Sequence, residues 1–447
     1  MPDFTLIGAG PVGTLMALML ANRGRSVRLI ERRPDPRRTP PEHGRSINLA
    51  LAARGLVALE HAGVAARVTP ALLPMSGRML HDERGALQFL PYGQNQREVI
   101  YAISREQLNR ALIEAAADCP HIELCFDCRC LDVDPGTGQL TLRDERSGRE
   151  YPQPFELLLG TDGAGSAVRS ALSARGLLRA HDAPLPHDYK ELTIPADAAR
   201  PGGFVFEPRA LHIWPRGGYM LIALPNTDAS FTATLFLPRH GDPSFEALSD
   251  NAAIRRLFSM QFADAAAVIP DLTQQFAINP QSRLGTLHCE PWQLDGRILL
   301  LGDAAHAIVP FHGQGLNCGF EDCRLLDRLL AEAASGEQGT RAALYARFER
   351  ARRPDTDAIA TMALENYQEM RDGVRSPQFA RRQALAAQLE QRFPARFIPR
   401  YSMIMFHPEI AYAEAQRRGA AQQRVLDALL SSPEPPELEP LLQQAGL

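Results

Sequence analysis

Phe4-Thr5-Leu6-Ile7-Gly8-Ala9-Gly10-Pro11-Val12-Gly13, running on through Thr14-Leu15-Met16-Ala17 to Asn22, is the stretch whose reading decides the fold. A short apolar run predicts a strand, and the apolar spacing from Pro11 to Asn22 predicts a helix, stopped by Gly24. Between them Gly8, Gly10 and Gly13 form G-x-G-x-x-G. The first glycine permits the tight turn, the second lets backbone approach a pyrophosphate, and the third lets helix and strand pack closely. The helix N-terminus then faces the negative charge. A second strand, Val27 to Ile30, ends at Glu31, where a carboxylate accepts hydrogen bonds from an adenosine ribose; Arg32 follows. Strand, turn, helix, strand and acid in register open an α/β fold with a Rossmann-like parallel sheet.

Two later junctions repeat the pattern. Gly160-Thr161-Asp162-Gly163-Ala164-Gly165-Ser166 follows the apolar run Phe155 to Leu159. Leu301-Gly302-Asp303-Ala304-Ala305-His306 follows the run Arg297 to Leu301 and continues to Pro310-Phe311-His312-Gly313-Gln314-Gly315-Leu316-Asn317, with a helix from about Leu316. A helix is predicted over Arg105 to Ala117. Strands follow over Glu123 to Asp132 and Gln139 to Asp144, joined by Pro-Gly-Thr-Gly at 135–138. From about Ala180 to Gln281 prolines and glycines alternate with short strands such as Tyr219 to Leu224 and Phe231 to Leu237, which predicts a mainly antiparallel insertion. From Tyr345 onward helices dominate, and Ser431 to Pro440, rich in Pro and Glu, reads as a linker to a last helix. The expected division is a dinucleotide-binding domain in two parts, 1–180 and 282–355, a substrate-sheet insertion, 181–281, and a C-terminal helical region, 356–447.

Composition removes several classes of function. With 447 residues, 45% apolar, the chain can bury a sizeable core. The net charge of −4, with both signs spread along the chain, leaves no nucleic-acid footprint; Lys190 is the only lysine. Cys125, Cys128 and Cys130 invite a metal reading, but no second ligand pair follows, and Phe126, Cys128 and Cys130 fit one face of a strand, so no metal is expected. The chain is expected to enter a strand directly after Met1-Pro2-Asp3, and no signal peptide is expected. No apolar run approaches the roughly 18 residues of a membrane span. The best C-terminal stretch, Phe397 to Ala413, is broken by Arg400, His407, Glu409 and two prolines. A soluble, cytoplasmic protein is expected, and a homodimer is compatible with the sequence.

The three junctions, in this order, resemble the signature of the single-component FAD-dependent aromatic hydroxylases. The resemblance implies bound FAD and a monooxygenase. In such enzymes the first motif holds the ADP half, and the aspartate corresponding to Asp303 meets the ribityl and phosphate groups. The turn Gly313-Gln314-Gly315-Leu316-Asn317 presents helix N-terminal amides to the flavin ring, where they stabilise negative charge. By the same resemblance Val12, Ala50, Arg105, Leu131 and Asp162 fall to the cofactor. Only one dinucleotide fingerprint exists, so NADPH is expected as a transient co-substrate. His306 reads as a structural histidine rather than a general base.

Within that family a narrower resemblance rests on other residues: Gly44-Arg45-Ser46-Ile47-Asn48-Leu49-Ala50-Leu51, Arg78-Met79, Pro91-Tyr92-Gly93, Ser104-Arg105 with Leu108-Asn109, Val309 to Gly315, Asn366-Tyr367-Gln368-Glu369-Met370, and Tyr401. These are similar to members that hydroxylate L-kynurenine with NADPH and O₂ in tryptophan degradation. Arg78 is implied as the planar fork, and Tyr92 as the phenol donor, for the substrate carboxylate, with Asn366 and Tyr401 as further donors. Glu369, Met370 and His312 are implied in the pocket, and Leu211, Leu224, Phe236 and Phe311 as its apolar wall. The aniline nitrogen activates the ring itself, so no protein base is assigned; Phe311, Gly313 and Gln314 are expected near the flavin ring. Mitochondrial relatives carry a C-terminal anchor that this sequence does not show. A different flavin hydroxylase or epoxidase, acting on a phenol, quinone or polyketide, has no use for a carboxylate site. A flavin-binding sensor or plain NADPH oxidase yields H₂O₂ without a hydroxylated product.

Overall fold

Phe4–Ile7 pairs in parallel with Val27–Ile30 on one side and with Leu157–Gly160 on the other. Ile122–Cys125 and Ile298–Leu300 extend the parallel sheet, and Gln293–Leu294 adds an antiparallel edge. The central strands are buried along their whole length, which is why they read as continuous apolar runs and not as alternating ones. In the computed structural model, which describes residues 1–39, 48–94, 98–334, 340–373, 376–431 and 437–447, the chain forms two compact units. The first comprises Met1–Leu72, Ile103–Leu185 and Leu284–Thr356; the second comprises Leu73–Ala102, Pro186–Arg283 and Asp357–Leu447. The expected segment Gly44 to Ile47 and much of the proposed 431–440 linker lie outside the described residues.

In the first unit the helix Pro11–Asn22 is buried on nearly every side, because it packs between the helices Gly315–Ala334 and Arg105–Ala117. The expected strand from Glu123 to Asp132 is two strands. Ile122–Cys125 belongs to the parallel sheet, while Cys128–Asp134 joins Gln139–Asp144 and Glu150–Pro154 in a separate antiparallel sheet. Asp127, at φ 55°, turns the chain between them. Phe126 therefore does not share a strand face with Cys128 and Cys130, although both cysteines are buried.

A charged network is buried in this unit. Arg54 donates to Glu321 at 2.8 Å, Arg352 to Asp322 at 2.8 Å, and Asp322 also meets His306 Nε2 at 2.7 Å and the Gly302 amide at 3.0 Å. Burial alone would push the Asp322 carboxyl up; His306 and Arg352 hold it below its ordinary value. His306, Cys318 and Asp322 converge closely enough to suggest a metal. However, the Arg352 guanidinium lies 3.1 Å from Cys318 Sγ and already balances Asp322.

The second unit is built on a twisted sheet with His187–Ile194 of the strand Arg179–Ile194, then Phe231–Pro238, Met220–Pro225, Ala210–Pro215, Gly77–His81 and Leu87–Pro91 in spatial order. It is antiparallel throughout, as expected, except that Gly77–His81 runs parallel to Ala210–Pro215. Nothing in the local pattern of residues 73–102 announces that they join this sheet. Helices Asn251–Gln261, Ala263–Ala266 and Leu272–Ile278, absent from the sequence reading, pack one face through Trp214, Leu221, Phe231, Leu235, Phe258 and Phe262. Because strand side chains alternate, the opposite face carries Arg78, Leu211, Leu224 and Phe236. The C-terminal helices share a core of Leu389, Phe397, Val425, Leu426 and Leu442. Among the described residues no helix is long and apolar enough to cross a membrane.

The buried network makes a stability prediction. Asp322→Ala strands Arg352 and His306 in the interior, and removing one partner of a buried pair costs roughly 3–5 kcal/mol. Urea unfolding of the flavin-loaded variant should show that loss; a change within about 0.5 kcal/mol, as for an ordinary surface site, would show that the network is not a buried ion cluster.

Candidate active site

The carboxyl ends of the first unit's parallel strands all open on one edge of the sheet, and each predicted motif sits at one of them. Gly8, at φ +102°, makes the turn, and a Cβ there would lie 2.6 Å from the Thr161 carbonyl. A Cβ on Gly13 would lie 2.0 Å from the Gly8 carbonyl, so the third glycine is required for packing. A Cβ on Gly10 meets nothing within 4 Å, which leaves open space where the motif expects a pyrophosphate. Glu31 holds the turn in shape: Oε2 accepts from the Ala9 amide at 2.9 Å and Oε1 from Arg33 at 3.0 Å. Each oxygen keeps a second lone pair for a hydroxyl. Arg32 beside it is exposed.

Two aspartates occupy the other strand ends. Asp162 Oδ2 accepts from the amides of Ala167 and Val168 at 2.6 Å and 3.3 Å, while its Oδ1 is buried without a partner. Burial pushes the Asp162 carboxyl up. Asp303 opens a short helix, has no side-chain hydrogen bond among the described residues, and is likewise pushed up by burial, opposed by the charges of Arg105 and His306. It lies 3.8 Å from the Cβ position of Gly315, the first residue of the helix Gly315–Ala334. Two acceptors without partners among the described residues, an open glycine turn and a helix N-terminus on one sheet edge fit a dinucleotide such as FAD.

The remaining cofactor candidates divide by role. Val12 packs against Gly302 and Gly319, joining the first motif to the third. Asn317 Oδ1 accepts from Ala52, and its amide donates to Ala50 and Gly313, each at 2.8 Å. Its side chain thus ties the strand Asn48–Leu51 to the Gly313 turn, leaving only its backbone, with that of Leu316, to face a ligand. Gly313 is left-handed at φ 63°, and its Cβ position crowds Ala50 at 2.8 Å. Phe311, His312 and Gln314 are buried on this turn. Leu131 is half-buried on Cys128–Asp134, in the separate antiparallel sheet. Sequence reasoning missed Thr161, whose hydroxyl donates to the Ile7 and Gly8 carbonyls at 2.9 Å and 3.0 Å and fixes the glycine turn. It also gave no role to Arg169, which bonds the Ala164 and Ala304 carbonyls and so links the second motif to the third.

The second unit gathers the predicted substrate residues from three distant segments. Arg78 is 8% exposed and its Nε has no partner; no carboxylate lies within ion-pair distance among the described residues. Its guanidinium carbon lies 4.4 Å from the Tyr401 ring centroid and 5.8 Å from that of Tyr92, and the two rings stack at 5.5 Å and 17°. Burial works against the charge on Arg78, but Tyr401, Tyr92 and Glu369 outweigh it, so the guanidinium stays charged. Burial pushes both phenols up, so both remain neutral donors. Asn366, Glu369 and Met370 share one face of the end of the helix Arg341–Arg371, where Asn366 Nδ2 lies 3.2 Å from Met370 Sδ. That helix end is tied to the sheet: Gly218 donates to Asp372 at 2.8 Å. Leu211 is paired with Arg78, and Leu224 and Phe236 lie on the same sheet face. Phe311 and His312 belong to the first unit.

Residues 3–363 match the family model described as FAD binding domain. The chain is 46% identical over 426 residues to a kynurenine 3-monooxygenase of Myxococcus xanthus, covering 95% of this chain and 90% of that one. It is also 46% identical over 426 residues to one of Stenotrophomonas maltophilia, covering 95% and 92%. Among solved structures, 2-methyl-3-hydroxypyridine-5-carboxylic acid oxygenase matches with a TM-score of 0.65 at 20% identity, over 84% of this chain and 94% of that one. Pseudomonas aeruginosa PqsL in complex with 2-aminobenzoylacetate matches at 0.65 and 20%, over 83% and 97%. These two show the fold.

The glycines give a paired prediction. Gly10→Val should leave the unfolding midpoint of flavin-stripped protein at the wild-type value, since its Cβ meets nothing, yet purify largely without FAD. Gly13→Val should not accumulate as folded protein, because its Cβ meets backbone at 2.0 Å. Flavin absorbance per chain and thermal melts measure both; full FAD content in Gly10→Val would remove the pyrophosphate from this turn.

Proposed function

The chain belongs to the kynurenine 3-monooxygenase family of FAD-binding enzymes, and from that premise we propose that it hydroxylates L-kynurenine at the ring carbon ortho to the amine, consuming NADPH and O₂. The observation that carries the substrate is Arg78, a buried guanidinium with an unpaired Nε, walled by two phenols. A buried cation whose Nε has no partner calls for an acceptor, and a carboxylate offers a charged, two-oxygen one where a neutral phenol or quinone does not.

FAD, when bound, would supply the redox chemistry: hydride acceptance and oxygen activation. Gly10, Glu31, Asp162, Asp303 and the amides at Gly315 to Asn317 would hold that cofactor. Arg78 binds the substrate carboxylate as a fork, with Tyr92 and Tyr401 donating from their neutral phenols and Asn366 adding an amide. The half-buried Glu369, on the same helix face as Asn366, receives the substrate ammonium. Leu211, Leu224 and Phe236 give the aromatic ring a dry wall, and water exclusion keeps the activated oxygen from escaping as H₂O₂. The substrate amine donates electron density into the ring, so the chain need supply only orientation. The seven cysteines are all free, which supports a reducing, cytoplasmic setting.

Mass spectrometry of the product from yellow protein, NADPH, O₂ and L-kynurenine tests the activity. The site is tested by Arg78→Ala. Charge-assisted hydrogen bonds are worth roughly 1.5–3 kcal/mol each, so L-kynurenine should bind at least about tenfold weaker with FAD content unchanged. Arg78→Lys should recover part of the loss, since an ammonium does not reproduce the fork. Decarboxylated kynurenine should bind wild type poorly and lose little more in Arg78→Ala. Equal losses for substrate and analogue would make Arg78 a structural residue.

A further inference from the structure

The strand that presents Arg78 ends in a hydrogen-bonded relay, with two buried imidazoles, on the sheet's helical face. His81 and His212 are each 1% exposed. His81 Nδ1 lies 2.6 Å from Asp264 Oδ2, and His81 Nε2 lies 2.8 Å from His212 Nδ1. His212 Nε2 lies 2.8 Å from the Glu207 carbonyl oxygen. Trp214 donates to the other Asp264 oxygen at 2.8 Å and stacks on His81 at 4.0 Å and 26°.

The two ends of this relay, a carbonyl and a carboxylate, only accept. Three hydrogen bonds join them through two imidazoles, so three protons are required, and two neutral imidazoles carry only two. We propose that the relay holds a third proton, as an imidazolium of His81 paired with ionised Asp264 beside a neutral His212, and that His81, Asp264 and His212 are positioning residues that pin the strand presenting Arg78.

The surroundings agree. Burial pushes His212 down to about 4, which keeps it the neutral member. Burial works against the Asp264 carboxylate, but its bonds from His81 and Trp214 prevail and hold it below its ordinary value. The other charged neighbours are engaged elsewhere. Arg216 donates to the carbonyls of Gln261, His81 and Pro215; Asp82 accepts from the amides of Arg84 and Ala86; Glu207 accepts from the Arg209 amide.

Register makes the pin matter. Arg78 pairs with Leu211, Met79 with His212 and Leu80 with Ile213. A slip of one residue would carry Arg78 to the helical face. The His81–His212 bond crosses that strand pair, and Asp264 anchors it to the helix Ala263–Ala266. The role rests on the reading that Arg78 holds the substrate carboxylate.

The proton count is tested on wild-type holoenzyme by nitrogen-15 NMR of labelled histidines at neutral pH, with His81 and His212 assigned by substitution. We expect one of the two to carry protons on both ring nitrogens, and Asp264→Asn to abolish that signature. Two neutral rings in wild type would overturn the proposal. Kinetics test the positioning role. Asp264→Asn and His212→Asn should each raise KM for L-kynurenine about tenfold, equivalent to roughly 1.4 kcal/mol, with kcat and FAD content near wild type, and Asp264→Glu should restore part. Loss of the doubly protonated ring with KM unchanged would overturn the positioning role. A wild-type enzyme that does not hydroxylate L-kynurenine would instead refute the substrate reading, while the NMR result would still decide the proton count. If Asp264→Asn fails to fold, His212→Asn and the wild-type spectrum decide.

Discussion

A buried guanidinium with no carboxylate at ion-pair distance among the described residues is the constraint around which the second unit is organised. Removing such a charge from water costs several kcal/mol. The faces of Tyr92 and Tyr401 return about 0.5–2 kcal/mol through cation–π attraction, and with the charge of Glu369 they keep the guanidinium ionised. The sheet holds that cation in place. Its strand is paired on both sides, with Ala210–Pro215 and with Leu87–Pro91, and its end is held through the His81 ring and the His81 carbonyl together. The same environment sets the chemistry of the neighbours. Phenols pushed up by burial stay protonated and can donate, so a carboxylate arriving beside Arg78 would meet two neutral donors as well as the cation.

The first unit solves the opposite problem. Its proposed cofactor is large and polyanionic, and its groups toward that cofactor are largely backbone: a glycine turn and the starts of two helices. Backbone cannot be chosen by side-chain type, so the sequence controls it by omission, with glycine where a Cβ would fill the cradle or strike the next strand. Side chains act one step behind. Thr161 bonds the turn's carbonyls, Glu31 bonds its amide, Asn317 ties the Asn48–Leu51 strand to the Gly313 turn, and Arg169 ties the second motif to the third.

That difference explains what the sequence made legible. Gly8, Gly10, Gly13, Glu31, Asp162 and Asp303 could be read from local order because a strand end followed by a turn forces residue types at fixed spacing. Arg78, Tyr92, Asn366 and Tyr401 could not. They come from a strand, the loop after its neighbour and two helices far along the chain, and only a family resemblance brought them together. The parallel pairing of Gly77–His81 with Ala210–Pro215 has no local signal either. Elsewhere pattern misled: alternation ran on through 123–132 and concealed the turn at Asp127, where a positive φ redirects the chain into a second sheet. The Asn251–Gln261 helix was readable in principle from Ile254, Leu257 and Phe258 and from its Asp250 cap, but prolines and glycines around it drew attention to strands. His81 and His212 left one clue, a polar residue on the buried face of each of two neighbouring strands.

The division of labour has a consequence for specificity. When a cofactor supplies the reactive oxygen and the substrate's own amine activates the ring, the chain has no acid or base to tune and competes with solvent only through placement. Placement is steeply sensitive to distance, since near-attack geometry is confined to about 3–3.5 Å between reacting atoms. A flexible ammonium at position 78 would satisfy charge but would leave the ring free to swing. A planar guanidinium stacked on Tyr401 fixes direction as well as distance. The rigidity of that fork is useful only if its strand cannot slip. On the proposed substrate site, selectivity for an amino-acid substrate over a neutral phenol would therefore reside less in the apolar wall of Leu211, Leu224 and Phe236, which would accept either ring, than in a charged anchor and the bonds proposed to hold its register.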